Sequence, residues 1–245
     1  MIAYADMKHL IFRAAAVATT ILFASMAYAQ GVEVESTDDL WKLERYEIAE
    51  LSPSNLRSVE EAILADSQGG WLPVGIDKTL DGQALEVFFI FSESLPFEQV
   101  KLFRISSIER IRRNIDDLIW DGWVPVDIGV DAGDPVLMLI DTPAIDIEDW
   151  DLRLTLLDEE TMNAVFAEMM EDGYSIWGMS AGPEATLWVL YLMENNRDEV
   201  RPLNLNFHGL EMDGLREGLE NDILNGWIPW GYFIAPDSRY IHYTR

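Results

Sequence analysis

One short motif in this sequence has the residue types and spacing of a hydrolase nucleophile. Gly178-Met179-Ser180-Ala181-Gly182 matches G-x-S-x-G, the pattern that presents a serine on a strained strand-to-helix turn in α/β-hydrolases. Apolar residues on both sides of the motif predict two strands instead, so a hairpin turn is the favoured interpretation. Outside the N-terminal leader described below, His208 and His242 are the histidines that could serve as a base.

Metal ligands other than carboxylates are scarce. The chain contains no cysteine, and two histidines 34 residues apart do not make a zinc or iron site. Acidic residues cluster in two stretches, which leaves calcium open, but neither has the D-x-D-x-D-G spacing of a calcium loop. Solvated loop acids are therefore favoured, and no cofactor is predicted. The two clusters are Asp127, Asp131 and Asp134, and Asp141, Asp146, Glu148, Asp149 and Asp151.

Glycoside hydrolysis would need a particular pair of carboxylates. The sequence has 44 acidic residues, and we find none in an apolar context that would single it out. A catalytic pair is therefore not assigned.

Large aromatic residues are concentrated in the second half of the chain. At matching positions, the first half has Val74 and Val126 where the second half has tryptophan. Such an excess could line a groove for sugars, a peptide or a partner chain, because aromatic side chains give contact area at low entropic cost. The alternative is that they pack between structural units. The residues concerned are Trp177, Trp188, Tyr191, Trp230 and Tyr232.

A glycine-aromatic phrase occurs four times and predicts the elements that position these residues. Its marker glycines are 52, 51 and 53 residues apart, which indicates tandem copies of one unit of about 52 residues. The aromatic residue after each glycine is predicted to be a core anchor. The markers are Gly70 and Trp71, Gly122 and Trp123, Gly173 and Tyr174, and Gly226 and Trp227.

Each unit is predicted to be βαββ. Apolar residues in steps of four, such as Val59 and Ile63, precede each marker and predict a helix that ends where the glycine takes a positive φ. Two strands joined by a turn follow. Proline in the second strand, as at Pro73, indicates a sheet edge, and the third strands are apolar on both faces. The predicted fold is therefore α+β, with antiparallel three-stranded sheets in the order 1-3-2, packed into one body.

The chain divides without obvious linkers. Residues 1–29 have the charge, apolar run and Ala27-Tyr28-Ala29 cleavage site of a secretory signal. Residues 30–40 form an acidic arm, and the four repeats span residues 41–99, 100–149, 150–199 and 200–245. We expect a periplasmic or secreted protein with no membrane insertion after signal cleavage.

The net charge of −27 limits the classes of binding partner that we expect. Removing residues 1–29 takes away one acid and two bases and leaves −28. Nucleic acids and anionic membranes are bound through patches of lysine and arginine, so neither is an expected partner. Solubility alone could explain the acidity, and the alternative is an acidic face for a basic partner.

The unit resembles a class of small uncharacterised bacterial domains. In that class a strand and a helix lead into a Gly-Trp-Glu-Leu-Val-like phrase, a hairpin and a closing aromatic and basic strand. The matching residues are Gly70-Trp71, Gly122-Trp123 and Gly226-Trp227, with Tyr240 to Arg245 as the closing strand. Proline replaces a residue of that phrase here. The resemblance implies the fold and carries no activity.

The sequence therefore favours an exported, non-enzymatic binding or scaffold protein whose aromatic second half contacts a protein or a glycan. One alternative is a cell-wall or polysaccharide hydrolase or sugar binder with unassigned carboxylates. Another is an acidic inhibitor that occupies the basic cleft of its partner.

Overall fold

The computed structural model describes residues 45–51, 55–67, 69–79, 81–91, 97–131, 133–195, 199–208, 212–235 and 238–244. The predicted signal segment and acidic arm lie outside these ranges. Within the ranges are four helices, α1 Leu56–Asp66, α2 Ile108–Trp120, α3 Glu159–Glu171 and α4 Met212–Leu224. The strands are β1 Arg45–Leu51, β2 Trp71–Lys78, β3 Leu85–Phe91, β4 Val100–Arg104, β5 Trp123–Asp131, β6 Asp134–Asp141, β7 Ile147–Leu156, β8 Ser175–Ala181, β9 Thr186–Glu194, β10 Asn204–His208, β11 Ile228–Ala235 and β12 Ser238–Thr244.

The described strands form four antiparallel three-stranded sheets, with the orders β1-β3-β2, β4-β6-β5, β7-β9-β8 and β10-β12-β11. We number them as the first to fourth sheets. The strand after each helix lies at a sheet edge, and the following strand lies in the centre. The predicted α+β class and the 1-3-2 strand order are confirmed. That the four segments are copies of one unit stays a prediction.

The helices begin and end where local chemistry satisfies their free backbone groups. Asn55 accepts a hydrogen bond from the Ser58 N–H at 3.0 Å, and Asp158 caps α3 by accepting from the Thr161 N–H at 2.9 Å. After α2, Gly122 has a φ of 91°, which a glycine adopts without steric cost. Each helix therefore stops abruptly and turns into an edge strand.

A β-bulge interrupts the edge strand that follows each helix. The register of β2 against β3 shifts between Pro73 and Gly75, and the other three sheets shift at matching places. A bulge leaves one residue unpaired and bends the strand, which also accommodates the missing N–H of proline. The extra residues are buried, and they are Val74, Val126, Trp177 and Trp230.

The four bulged strands meet in the middle of the molecule. β2 packs against β5 and β11, and β8 packs against the same two strands, so β2, β5, β8 and β11 form a closed ring. We call this ring the central junction. Each of these strands is an edge of its own sheet, so the junction covers four sheet edges that would otherwise be open.

Strands of the central junction run in the same direction where their contacts can be compared. The Ile76 N–H of β2 donates to Asp127 of β5, and one residue further along β2, Asp77 accepts from the Val130 N–H. Contacts that advance together along both strands require a parallel arrangement. The corresponding contacts between β2 and β11 are Gly75 with Tyr232 and Asp77 with Ile234.

The interior is mainly one apolar cluster to which all four sheets contribute, including Phe88, Val126, Trp177 and Trp230. A smaller cluster, which includes Phe166 of α3, lies between α3 and the third and fourth sheets. No helix in the described ranges is long and apolar enough to cross a bilayer.

Candidate functional site

A buried carboxylate, Asp77, ties three of the other sheets to the first. It accepts hydrogen bonds from the Ile234 N–H at 2.7 Å, the Val130 N–H at 3.1 Å and the Ser180 hydroxyl at 3.3 Å. Its donors therefore come from β11, β5 and β8. Burial raises the pKa of Asp77 to about 6, and the surrounding backbone N–H groups limit the rise.

Asp127 has the reciprocal position on β5. It is fully buried and accepts a hydrogen bond from the Ile76 N–H at 2.8 Å. Burial raises its pKa well above the usual range, and the negative charge of Asp77 adds to that rise. N–H groups of Ile76, Ile128 and Tyr232 act in the opposite direction. When both carboxyl groups ionise, their negative charges repel each other, so full ionisation of both is disfavoured.

These carboxylates satisfy the backbone of the sheet edges. An edge strand has outward N–H groups that need partners once they are buried. A carboxylate oxygen can accept from strands that are too far apart to pair directly. Close packing also needs glycine, because a Cβ on Gly178 would collide with the Asp127 carboxylate and the Ile128 N–H. We therefore interpret Asp77 and Asp127 as structural connectors between sheets.

His242 of β12 lies buried opposite Gly231 of β11. A Cβ at Gly231 would overlap the imidazole ring, so the glycine makes the space that the ring occupies. Burial lowers the pKa of His242 to about 3, while the Trp177 backbone acts in the opposite direction. The imidazole is therefore neutral in the folded protein at physiological pH.

The serine of the G-x-S-x-G motif does not lie on a nucleophile elbow. Ser180 is in β8, which leads through a hairpin into β9, whereas the elbow requires a turn from a strand into a helix. Its hydroxyl is fully buried and donates to Asp77. The predicted hairpin is confirmed. The side chain of His208 lies outside the described part of the structure.

A second buried polar cluster joins the first and fourth sheets. The Arg239 guanidinium contacts Glu86 at 3.0 Å and donates to the Tyr232 hydroxyl at 2.9 Å, and that hydroxyl donates to Glu86. Arg239 and Glu86 are each 8% exposed. Burial raises the pKa of Tyr232, and the Glu86 carboxylate adds to the rise. Tyr232 is thus a neutral donor, and it completes the set of mutual contacts between Glu86 of β3 and Arg239 of β12.

Four of the five aromatic residues proposed for binding are buried. The Trp177 and Trp230 rings meet edge to face, with centroids 5.0 Å apart and planes at 88°. Tyr191 and Tyr232 are fully buried, and Trp188 is partly exposed. This placement is what the alternative of packing between units predicts, so the five residues do not form one open surface.

The acids considered as calcium ligands are mostly engaged by protein donors. Asp131 contacts Arg104, and Asp134 lies 3.8 Å from the same guanidinium. Asp151 contacts Arg153 at 2.9 Å. The remaining contacts are Asp141 with the Glu98 and Gln99 N–H groups, Asp146 with the Asn195 amide, and Asp149 with the Tyr174 hydroxyl. Among the described residues, no group of three or more His, Cys, Asp or Glu side chains is suited to a metal ion.

The marker residues lie at matching points of the structure. Their glycines have φ values from 81° to 101°. Trp123 is buried under the Lys101 ammonium, 4.0 Å from the ring centroid, and the other three aromatic markers are partly buried. The glycines are Gly70, Gly122, Gly173 and Gly226, and the partly buried aromatic residues are Trp71, Tyr174 and Trp227.

The expectation that no acid has a distinctive apolar context is wrong. Asp127 lies between Val126 and Ile128, and Glu86 lies between Leu85 and Val87, all of them buried. For both residues the available signal was an acid inside an apolar strand, and the strand of Asp127 also contains proline and glycine. No family model matches the chain, and a search of curated proteins finds no match.

Proposed function

We propose that this protein is an exported, non-enzymatic binding or scaffold protein that recognises a positively charged polypeptide. The observation that carries the proposal is the charge at the helix C-termini. Each of the four described helices has a carboxylate in its last turn, and none has a basic residue there. These carboxylates belong to Asp66, Asp117, Glu168, Glu171 and Asp222.

That arrangement works against helix stability and therefore points to another use. The C-terminal end of a helix already has a partial negative charge, and nearby lysine or arginine would stabilise it by about 0.3–1 kcal/mol. Carboxylates there strengthen the negative potential instead. In a chain of net charge −27, they attract a cationic partner and speed its encounter.

Because strands of the central junction are parallel, the acidic ends of the helices before them are expected at the same end of the junction. A helix precedes each of β2, β5 and β11, so the helices end where these parallel strands begin. The C-termini of α1, α2 and α4 are thus near one end of the junction. The buried connectors between the sheets would hold such a surface in a fixed shape.

The proposal includes a four-fold repeat with a period of about 52 residues. It is supported by the bulge at a matching place in each sheet and by the positive φ of each marker glycine. It also includes export through the signal at residues 1–29 to the periplasm or the exterior. Copies of one unit would display similar acidic ends several times over.

Affinity capture of tagged mature protein, residues 30–245, tests the proposal in the native host. The expected result is a basic protein partner whose affinity falls steadily as salt rises. Charge reversal to lysine at Asp66, Asp117 and Asp222, in the last turns of α1, α2 and α4, should weaken binding by more than tenfold.

The matched control reverses three other exposed acids, Glu98, Glu148 and Glu217, to lysine. This control has the same net charge as the test variant, so it separates position from total charge. Equal loss in both variants, or binding that is insensitive to salt, would contradict the proposed surface. A glycan ligand with no protein partner would favour the sugar-binding alternative.

A further inference from the structure

Within the residues that the structure describes, β7 is the longest of the four strands that begin a sheet. It has ten residues, whereas β4 and β10 have five each and β1 has seven. All four are edge strands, because the central strand of each sheet separates them from the central junction. The extra length of β7 therefore raises the question of what covers its outer edge.

In the second sheet, the helix that precedes the first strand contacts the outer edge of that strand. Glu60 of α1 accepts from the Leu102 N–H of β4 at 2.7 Å. In the first half of β7, Arg112 of α2 donates to the Trp150 carbonyl at 2.9 Å. The Leu152 N–H donates to Asp151 at 3.0 Å. The Trp150 carbonyl and the Leu152 N–H in the first half of β7 therefore have side-chain partners on the outer edge.

The second half of β7 has an open edge. Backbone groups of an antiparallel strand alternate between its two neighbours, so the outward position of Trp150 is shared by Leu154 and Leu156. Among the described residues, no hydrogen-bond partner contacts the outward groups of these two leucines. Their side chains are 45% and 56% exposed. We call Leu154 to Leu156 the open edge.

The groups around the open edge are mainly acidic. Glu184 is exposed in the hairpin that pairs with the end of β7, and Asp158 follows the strand at the start of α3. The neighbouring base, Arg153, contacts Asp151 at 2.9 Å and Glu168 at 3.2 Å. Its charge is thereby compensated, and the surroundings of the edge favour a cation.

We propose that the open edge binds an extended basic segment of a partner polypeptide as an added strand. The leucines supply apolar contacts and their backbone supplies the ladder hydrogen bonds, as in other complexes formed by strand addition. The inference rests on the proposed function, because it assigns the partner of that acidic surface to one place. A second copy of this chain is the less favourable occupant, since the net charge of −27 makes two copies repel.

Fluorescence anisotropy with a defined probe tests the strand addition. The probe is a labelled, capped heptapeptide, Lys-Val-Thr-Val-Lys-Val-Lys, offered to mature protein at low salt. Two further versions have N-methyl groups on alternate residues, in one register or the other. We expect one methylated version to bind at least about tenfold more weakly than the other, because an added strand uses only one set of its N–H groups.

Variants of the protein test the same edge from its other side. Leu154→Pro removes one outward N–H, and Leu154→Ala is its control because it shortens the side chain but keeps that N–H. The proline variant should bind about tenfold more weakly than the alanine variant. If the proline variant does not fold, the comparison of the two methylated peptides still decides the proposal.

Three results would overturn the inference. Equal binding of both methylated peptides would show attraction by charge alone, which would leave the proposed acidic surface standing. Absence of peptide binding at millimolar concentration would exclude the open edge. A concentration-dependent dimer that Leu154→Pro abolishes, measured by sedimentation, would assign the edge to a second copy.

Discussion

Replacing Asp77 by asparagine tests whether the central junction prefers a protonated carboxyl group. The pKa of Asp77 is raised from 3.8 to about 6, so the folded protein holds this proton more tightly than the unfolded chain. The resulting stabilisation is complete below about pH 3.8 and is lost as the pH rises through about 6. The substitution removes that pH dependence while keeping the size of the side chain.

The magnitude follows from the size of the shift. A rise of about two units corresponds to about 3 kcal/mol over the whole pH range. Between about pH 5 and pH 8, which avoids the isoelectric point near 4.2, about 1.4 kcal/mol remains. Asp77→Asn should therefore cost about 1.4 kcal/mol more at pH 5 than at pH 8. Asp127 adds to the same trend, since its own pKa is raised in part by Asp77.

Urea unfolding of both proteins at several pH values measures this difference. The lowered pKa of His242 has the opposite effect, because its stabilisation is lost as the pH falls from 6.5 towards 3. This contribution is common to both proteins and cancels in the comparison. Asp117→Asn makes the same chemical change at an exposed position and is the control. A cost that is independent of pH, or larger at pH 8, would refute the assignment.

Three further substitutions test the fold. Ala185→Gly, at a φ of 57° in the β8–β9 hairpin, should raise the free energy of unfolding by about 1 kcal/mol. Its control, Ala167→Gly inside α3, should lower the free energy of unfolding by a similar amount. Changes of the same sign for both variants in thermal unfolding would contradict backbone strain at Ala185. Gly178→Ala should lower stability by about 1–3 kcal/mol in urea titrations, because its Cβ meets the backbone of the junction; a neutral effect would contradict that contact. Arg239→Ala should cost about 3–5 kcal/mol by leaving Glu86 buried without its cation, and the double variant with Glu86→Gln should recover part of the loss in calorimetry.

The order of elements could be predicted because its signals are local. Marker glycines such as Gly122 stop the helices, and proline in the next strand places that strand at an edge. The apolar third strands, such as β3, then have only the central position left. Each inference needs residues that are close together in the chain.

The junction could not be predicted because its partners are distant in sequence. Asp77 accepts hydrogen bonds from donors 53, 103 and 157 residues away. From sequence alone, Asp127 resembled a loop acid beside Asp131, and Trp177 and Trp230 resembled a binding surface. Their burial depends on how the sheets meet, and no local pattern determines that geometry.

Residues that contact each other at the junction are far apart in the sequence, and this affects when the chain can fold during synthesis. Contacts that join the first and fourth sheets, Ile234 with Asp77 at the junction and Arg239 with Glu86 beside it, span 157 and 153 residues. β2 and β3 therefore leave the ribosome well before the strands that complete their environment. We expect nascent chains that stop before β11 to be digested readily by protease, while full-length chains resist it. Such a delay would keep the polypeptide unfolded until synthesis is nearly finished, which is a state that the proposed export would require.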